Sequence, residues 1–195
     1  MADGGPVDRS RVMAEAAASF LDHGAGPGTL DDVADRLGAE PEAIHYWFDS
    51  EVELLGGLMK ARQQVFLDSL ISRFAELDGA GRKLRAVLEL AVADHDATLW
   101  LELWRLALSD DRARQIRTEI VDRYRDLIRR LIEAGTEAGD FHPRSVDRAT
   151  LTLIALVDGL SLQATIGDPI VSGKSMLEHS VTLCERLVGG TLEAA

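Results

Sequence analysis

The chain has a single cysteine, Cys184, so it can close no internal disulfide, and no apolar run approaches the roughly 18 to 20 residues that a membrane-spanning helix needs. Basic residues are scarce: 21 Lys and Arg stand against 33 Asp and Glu, a formal charge of -12. That is the opposite of the basic surface with which a nucleic-acid binder ordinarily meets phosphate. Only 5% of positions are aromatic, but 46% are hydrophobic, too many for a disordered acidic polymer, and 195 residues suffice for one or two domains with a sizeable core. Met1 to Pro6 lacks the charged and apolar regions of a secretory signal, so the expected location is the cytoplasm, with no membrane partner.

Catalytic signatures are also missing. Gly24-Ala25-Gly26 has no strand before it and is not a complete dinucleotide fingerprint, and neither a phosphate loop nor a Gly-x-Ser-x-Gly turn occurs. The histidines at 23, 45, 95, 142 and 179 lack close metal-ligand spacing. The one cluster, Asp94-His95-Asp96, is consecutive, and neighbours on a helix diverge by about 100°. Cys184 lies between Leu183 and Leu187 and reads as a small buried hydrophobe, although Arg186 is near. The expectation is a protein that is not an enzyme and holds no metal or cofactor.

What the sequence has in quantity is helix-forming residues. Leu and Ala together number 53 against 31 for Val, Ile and Thr, and no stretch sustains strand alternation. Prolines fall at 6, 27, 41, 143 and 169, leaving 101 residues between Pro41 and Pro143 free for long helices. The pattern predicts an all-α fold of about nine helices. The first, about Asp8 to His23, carries Val12, Ala16, Ala17 and Phe20 on one face and stops at Gly24. Thr29 is a good N-cap for a second in which Leu30, Val33, Ala34 and Leu37 follow at i, i+3, i+4, i+7, until Gly38 ends it. A third of about eight residues begins at Pro41, and Ile44 and Phe48 point back to the others.

Ser50-Glu51-Val52-Glu53 is a capping box for a long fourth helix closed by Gly79 to Gly81, with Leu55, Leu58, Met59, Phe66, Leu70 and Leu77 on its buried side. Further helices are expected at about 82–96, 98–108, 110–138, 145–166 and 173–188. The organisation predicted is a domain over 1–50 and a larger one over 51–195.

A short second helix, a glycine turn at Gly38 and a short third helix have the spacing of a helix-turn-helix, in which the third helix enters the major groove. Residues Arg11 to Ala17, Phe20, Gly24, Thr29 to Ala34, Leu37-Gly38, His45 to Ser50 and Glu53 to Leu55 together resemble the N-terminal domain of the tetracycline-repressor (TetR) family. More loosely, Trp100 to Ala107, Gly139-Asp140-Phe141 and Leu156 to Leu160 are similar to the ligand-binding and dimerising region of many members. The resemblance implies an all-helical, two-fold dimer. Its recognition helices would read a near-palindromic operator in double-stranded DNA, and a small ligand in the C-terminal domain would release it.

The departures from that pattern are charged. Where members usually carry basic or small polar residues this chain has Asp31, Glu40, Pro41 and Glu42; the usual phosphate-touching tyrosine is His45, and the lysine usual at the start of the fourth helix is Glu51. Residues 1–60 hold four basic side chains against twelve acidic ones, a net of -8. Glu40 and Glu42 either favour the helix N-terminus electrostatically or accept from cytosine N4. The residues singled out for DNA are Arg11, Thr29, Arg36, Glu40, Glu42, Ala43, His45, Tyr46 and Trp47; Trp47 has packing against the fourth helix as its alternative.

For a small apolar or amphipathic effector the candidates are Phe66, Phe74, His95, Trp100, Leu103, Trp104, Tyr124, Ile128, Leu160 and Gln163, any of which is equally at home in an ordinary core. The last two long helices, with small Ala155, Gly159 and Ser161, are the expected homodimer surface. Gly56-Gly57 inside the fourth helix reads either as a hinge or as close packing against the first helix. Two functions stand: a ligand-responsive repressor, or a TetR-fold dimer whose acidic head has degenerated into a small-molecule or protein-binding module.

Overall fold

The computed structural model describes residues 7–193 apart from 25, 27, 95 and 96. The readings placed on Met1 to Pro6, on Ala25 and Pro27 in the glycine loop, and on His95 and Asp96 lie outside the described residues. Among the described residues there are nine helices and no strand. They are α1 (Arg9–His23), α2 (Thr29–Leu37), α3 (Pro41–His45), α4 (Glu51–Phe74), α5 (Ala80–Ala93), α6 (Thr98–Ala107), α7 (Asp111–Glu137), α8 (Val146–Thr165) and α9 (Gly173–Val188). No described helix is long and apolar enough to cross a membrane.

The chain forms two compact units, one of residues 1–63 with 98–120 and the other of 64–97 with 121–195. The boundary expected at residue 50 therefore falls within the first unit, which also takes in the first half of α4, α6 and the start of α7. The first unit is built around Val12, Phe20, Val33, Ile44, Leu54, Leu55, Leu103 and Ile116, all essentially excluded from solvent. Each such side chain contributes roughly 1.5–3 kcal/mol by leaving water. The periodic positions of the first three expected helices supply four of these side chains, and α4, α6 and α7 supply the rest. In the second unit α5, α8 and α9 pack on one another around Leu84, Leu88, Ile128, Ile132, Phe141, Leu153 and Cys184.

Local signals hold in most places and shift in four. Asp8 caps α1, its carboxylate accepting from the Arg11 N–H at 2.8 Å. Gly38 ends α2 at φ 61, ψ 37, a left-handed conformation that costs a side-chain-bearing residue energy, and its N–H returns to the carbonyls of Ala34 and Asp35. Thr29, in contrast, is not the N-cap: Gly28 takes that place, and the Thr29 hydroxyl turns back to donate to the Gly26 carbonyl at 2.7 Å.

Half of the expected capping box forms. Ser50 Oγ accepts from the Glu53 N–H at 3.3 Å, but the Glu53 carboxylate leaves for Arg112 at 2.6 Å, a charged donor that outbids a backbone N–H. Helix α3 has five residues rather than eight, because the chain turns after His45 to bury Phe48. Finally, α4 ends at Phe74, short of Gly79, and α5 starts two residues before Arg82.

Candidate functional site

In the first unit α1 packs on α2, and α2 on α3. Ile44 and Phe48 anchor α3 from below at 0% and 4% exposure, while His45 and Tyr46 stand in solvent, Tyr46 at 78%. Its ring meets Trp47 edge-on with centroids 4.9 Å apart. Trp47 is 38% exposed and is tied down through its indole N–H, which donates to the Val7 carbonyl at 3.0 Å. The side chain thus packs against the chain entering α1. Glu40 and Glu42 are exposed, and Glu40 makes no side-chain capping hydrogen bond; only the electrostatic form of the capping reading is left beside base contact. Arg11 is exposed and Ala43 half-buried.

Two of the residues singled out for DNA are committed elsewhere. Thr29 is buried at 6% and spends its hydroxyl on Gly26, which closes the glycine loop onto α2 instead of presenting an oxygen to phosphate. Arg36 is held by carboxylates, donating through Nη2 to Asp22 at 2.8 Å and through Nε to Asp32 at 3.0 Å. Asp32 also accepts from the buried Ser19 hydroxyl at 2.5 Å, and His23 Nδ1 lies 3.7 Å away. The Ser19 hydrogen bond, then Arg36, hold the Asp32 carboxyl below its ordinary range. This α1–α2 clasp orients the helix pair, and it neutralises one of the few cations of the head. Neither Asp22 nor Ser19 stood out in the sequence; Ser19 occupies a position beside Phe20 that the apolar pattern of α1 leaves blank.

A pocket of about 220 Å³ opens beside the turn after α3, with Arg9, Trp47, Asp49, Gly56, Gly57, Lys60 and Ile116 in its lining. Arg9 lies over the Phe48 ring at 5.1 Å, and Lys60 is paired with Glu119 at 2.7 Å. Neighbours press closely on the glycine pair. A Cβ on Gly56 would stand 2.7 Å from Ile116 Cδ1, and one on Gly57 would stand 2.9 Å from Phe48 Cε1. Close packing thus occurs at both glycines, chiefly against α7 and Phe48 rather than α1.

The effector candidates divide between the units. In the first, Leu103 is fully buried and Trp100 and Trp104 are half-buried with ring centroids 6.3 Å apart, the shared environment that their spacing predicts. In the second, Ile128 is core at 0%, and Phe66 meets Tyr124 edge-on at 5.9 Å; Phe74, under Lys83 at 6.0 Å, and Leu160 are half-buried, whereas Gln163 is exposed. The Tyr124 hydroxyl is buried without a partner; burial, with Asp158 and Cys184 adding to it, pushes its pKa far above the ordinary value, so it stays a neutral donor. Cys184 is buried and its thiol is pushed up to about 12, first by burial and then by Glu185. Among the described residues no group of three His, Cys, Asp or Glu is placed to hold a metal.

Two further buried polar atoms lack partners in the first unit, Gln63 Oε1 and Trp104 Nε1. The Gln63 side chain is fixed by its amide, which donates to the Ile120 carbonyl at 2.6 Å. The sequence does carry a signal for it: Gln63 follows Met59 by four and precedes Phe66 by three, a polar residue inside an apolar stripe.

Known proteins match this arrangement. The model of a family described as BetI-type transcriptional repressor, C-terminal, covers residues 80–189. The HTH-type transcriptional repressor KstR2 of Rhodococcus jostii (strain RHA1) is 25% identical over 142 residues, 68% of this chain and 67% of that one. In fold, the chain is similar to a putative transcriptional regulator from Saccharomonospora viridis solved with choline, at TM-score 0.81 and 24% identity over 91% of this chain and 95% of that one. It is also similar to the regulator FadR from Bacillus subtilis solved with stearoyl-CoA, at TM-score 0.78 and 18% identity over 94% and 99%.

Proposed function

Because the chain belongs to the TetR family of transcriptional regulators, we propose that it is a ligand-responsive repressor. In this reading two copies bind a near-palindromic operator through their α3 helices, and a small apolar or amphipathic effector lowers their affinity for it. The observation that carries the reading is the head itself: α3 follows the left-handed Gly38 turn, is anchored by Ile44 and Phe48, and offers His45 and Tyr46 to solvent. A helix fixed from below with its polar and aromatic side chains outward is what groove reading requires. The similar regulator solved with stearoyl-CoA supports an effector of amphipathic character, and the one solved with choline supports a small-molecule effector.

The dimer is proposed to form through α8 and α9. Leu151 of α8 is 61% exposed in the single chain, Ile166 just past its end 69%, and Ala155 lies open between them, an apolar stripe that a two-fold mate would cover. Light scattering at micromolar concentration tests this, with a mass of twice 21.2 kDa expected and a monomer contradicting it.

The second reading, a head that no longer binds DNA, has its own observation: the net of -8 over residues 1–60, with Arg36 already neutralised by Asp22 and Asp32. Retardation of operator DNA, and its reversal by an added effector, separate the two.

A further inference from the structure

The recess beside the turn after α3 lies wholly within the first unit, and side chains of both signs line it: Arg9 and Lys60, Asp49 and Glu53. Two of the four are committed to α7. Lys60 Nζ donates to Glu119 at 2.7 Å, and the Glu53 carboxylate accepts from Arg112 at 2.6 Å. The other two are not: among the described residues neither the Arg9 nor the Asp49 side chain makes an ion pair or a hydrogen bond, with each other or with any neighbour. Arg9 is nonetheless held in place. Its guanidinium lies over the Phe48 ring at 5.1 Å, and its Nη2 stands 3.2 Å from the point at which a side chain on Gly57 would begin. A planar guanidinium fixed by stacking has little freedom left to lose when its fork meets a carboxylate.

The charge on the walls selects the charge of an occupant. A simple anion would be drawn by Arg9 and repelled by Asp49, and a simple cation the reverse, whereas a molecule carrying an ammonium and a carboxylate gives each wall its opposite. Size narrows the class further. A volume of about 220 Å³ is below the roughly 300–1,000 Å³ of sites for drug-sized molecules, so a long acyl chain or a coenzyme does not fit. The Trp47 indole N–H is already given to the Val7 carbonyl at 3.0 Å, which leaves that side chain, with Ile116, as apolar wall for a short aliphatic spacer.

We propose that this recess binds a small zwitterion, its carboxylate on Arg9 and its ammonium on Asp49. The site is separate from the effector candidates named above and lies in the DNA-reading unit itself. Trp47 and Phe48, which line it, belong to the turn joining α3 to α4, so an occupant touches the mounting of the reading helix.

The test follows the three tryptophan indole N–H signals of the ¹⁵N-labelled full chain by nuclear magnetic resonance, with Trp47 assigned through Trp47→Phe. The probes are the zwitterions 4-aminobutanoate and 6-aminohexanoate, with hexanoate, hexylammonium and inorganic phosphate as singly signed controls. A zwitterion is expected to shift the Trp47 signal saturably and to leave those of Trp100 and Trp104, which do not line the recess, in place. Each control is expected to bind at least about fivefold more weakly, and Arg9→Gln and Asp49→Asn are each expected to weaken the zwitterion about fivefold, the size of one solvent-exposed charged contact. Two separate variants guard against one failing to fold, with helicity by circular dichroism as the check. Absence of a saturable Trp47 shift with both zwitterions, or unchanged affinity in either folded variant, overturns the proposal. Tighter binding of phosphate or hexanoate overturns it in favour of a plain anion seat. The titration contains no DNA, so a chain that never retards an operator and still shows the Trp47 shift loses the repressor reading and keeps this site. A chain that retards its operator and shows no such shift does the reverse.

Discussion

Ile116 Cδ1 lies 2.7 Å from the point at which a side chain on Gly56 would begin. Ile116 is itself 1% exposed and held in the core of the first unit, so relieving the contact means moving a packed side chain. This contact gives Gly56 a stability role with a definite sign. Overpacking a core by one methyl costs about 1–3 kcal/mol, more than the roughly 1 kcal/mol at most that alanine's helix propensity returns. Gly56→Ala should therefore melt at a lower temperature than the parent chain. A glycine kept only for flexibility would give the opposite result, since alanine is the better helix former. The hinge reading has its own readout, because the double alanine variant should respond to effector normally if the pair serves packing alone.

The carboxylates that begin α3 should limit DNA affinity. Two unit charges 4 Å apart in water interact by about 1 kcal/mol. Glu40→Gln and Glu42→Gln should thus each strengthen low-salt binding to non-specific duplex by up to about fivefold. A drop in specific operator affinity without that non-specific gain would instead identify the carboxylate as a reader of cytosine N4. Fluorescence anisotropy on specific and scrambled duplexes distinguishes the two.

The clasp between α1 and α2 should be sensitive to acid. Asp32 has its folded pKa lowered from 3.8, chiefly by Ser19 and then by Arg36. A depressed carboxylate contributes stability that is fully present above its unfolded value and is lost as pH falls through the folded one. Melting temperatures of the parent and of Asp32→Asn should accordingly differ by a constant amount from neutrality down to about pH 4.5, roughly half a unit above the ordinary aspartate value, and converge at lower pH. A difference that already closes between pH 7 and 5 would place its origin elsewhere.

Cys184 should be inert in the folded protein. Its thiol is buried and pushed up to about 12, so almost none is thiolate at pH 8. Thiol reagents should label it at pH 8 only in denaturant, and rapid labelling of the native protein would show that α9 opens readily.

The helical architecture was legible because its signals are local. Periodic apolar positions, the Asp8 cap, the glycine stop at Gly38 and Pro41 at the head of α3 each act within one or two turns. What the sequence hid depends on partners far along the chain. Glu53 left its capping box for Arg112, 59 residues away, and Trp47 found Val7 at a separation of 40. Arg36 looked like a DNA contact because Asp22, 14 residues earlier, does not announce itself as its partner. Thr29 looked like a cap because the left-handed Gly28 that displaces it is visible only in the backbone. The acidic head was readable by counting, but not that two of its four cations, Arg36 and Lys60, are already engaged by carboxylates.

That engagement makes DNA affinity the point on which the account turns. Phosphate neutralisation supplies most non-specific affinity and weakens steeply with salt. Electrophoretic retardation of the chain's own upstream DNA at about 50 mM salt, where screening is least, is the direct measurement. The account predicts a retarded complex with two copies of the chain, fading as salt rises. Absence of any retarded species at that salt, from a protein shown to be dimeric and helical, would contradict it.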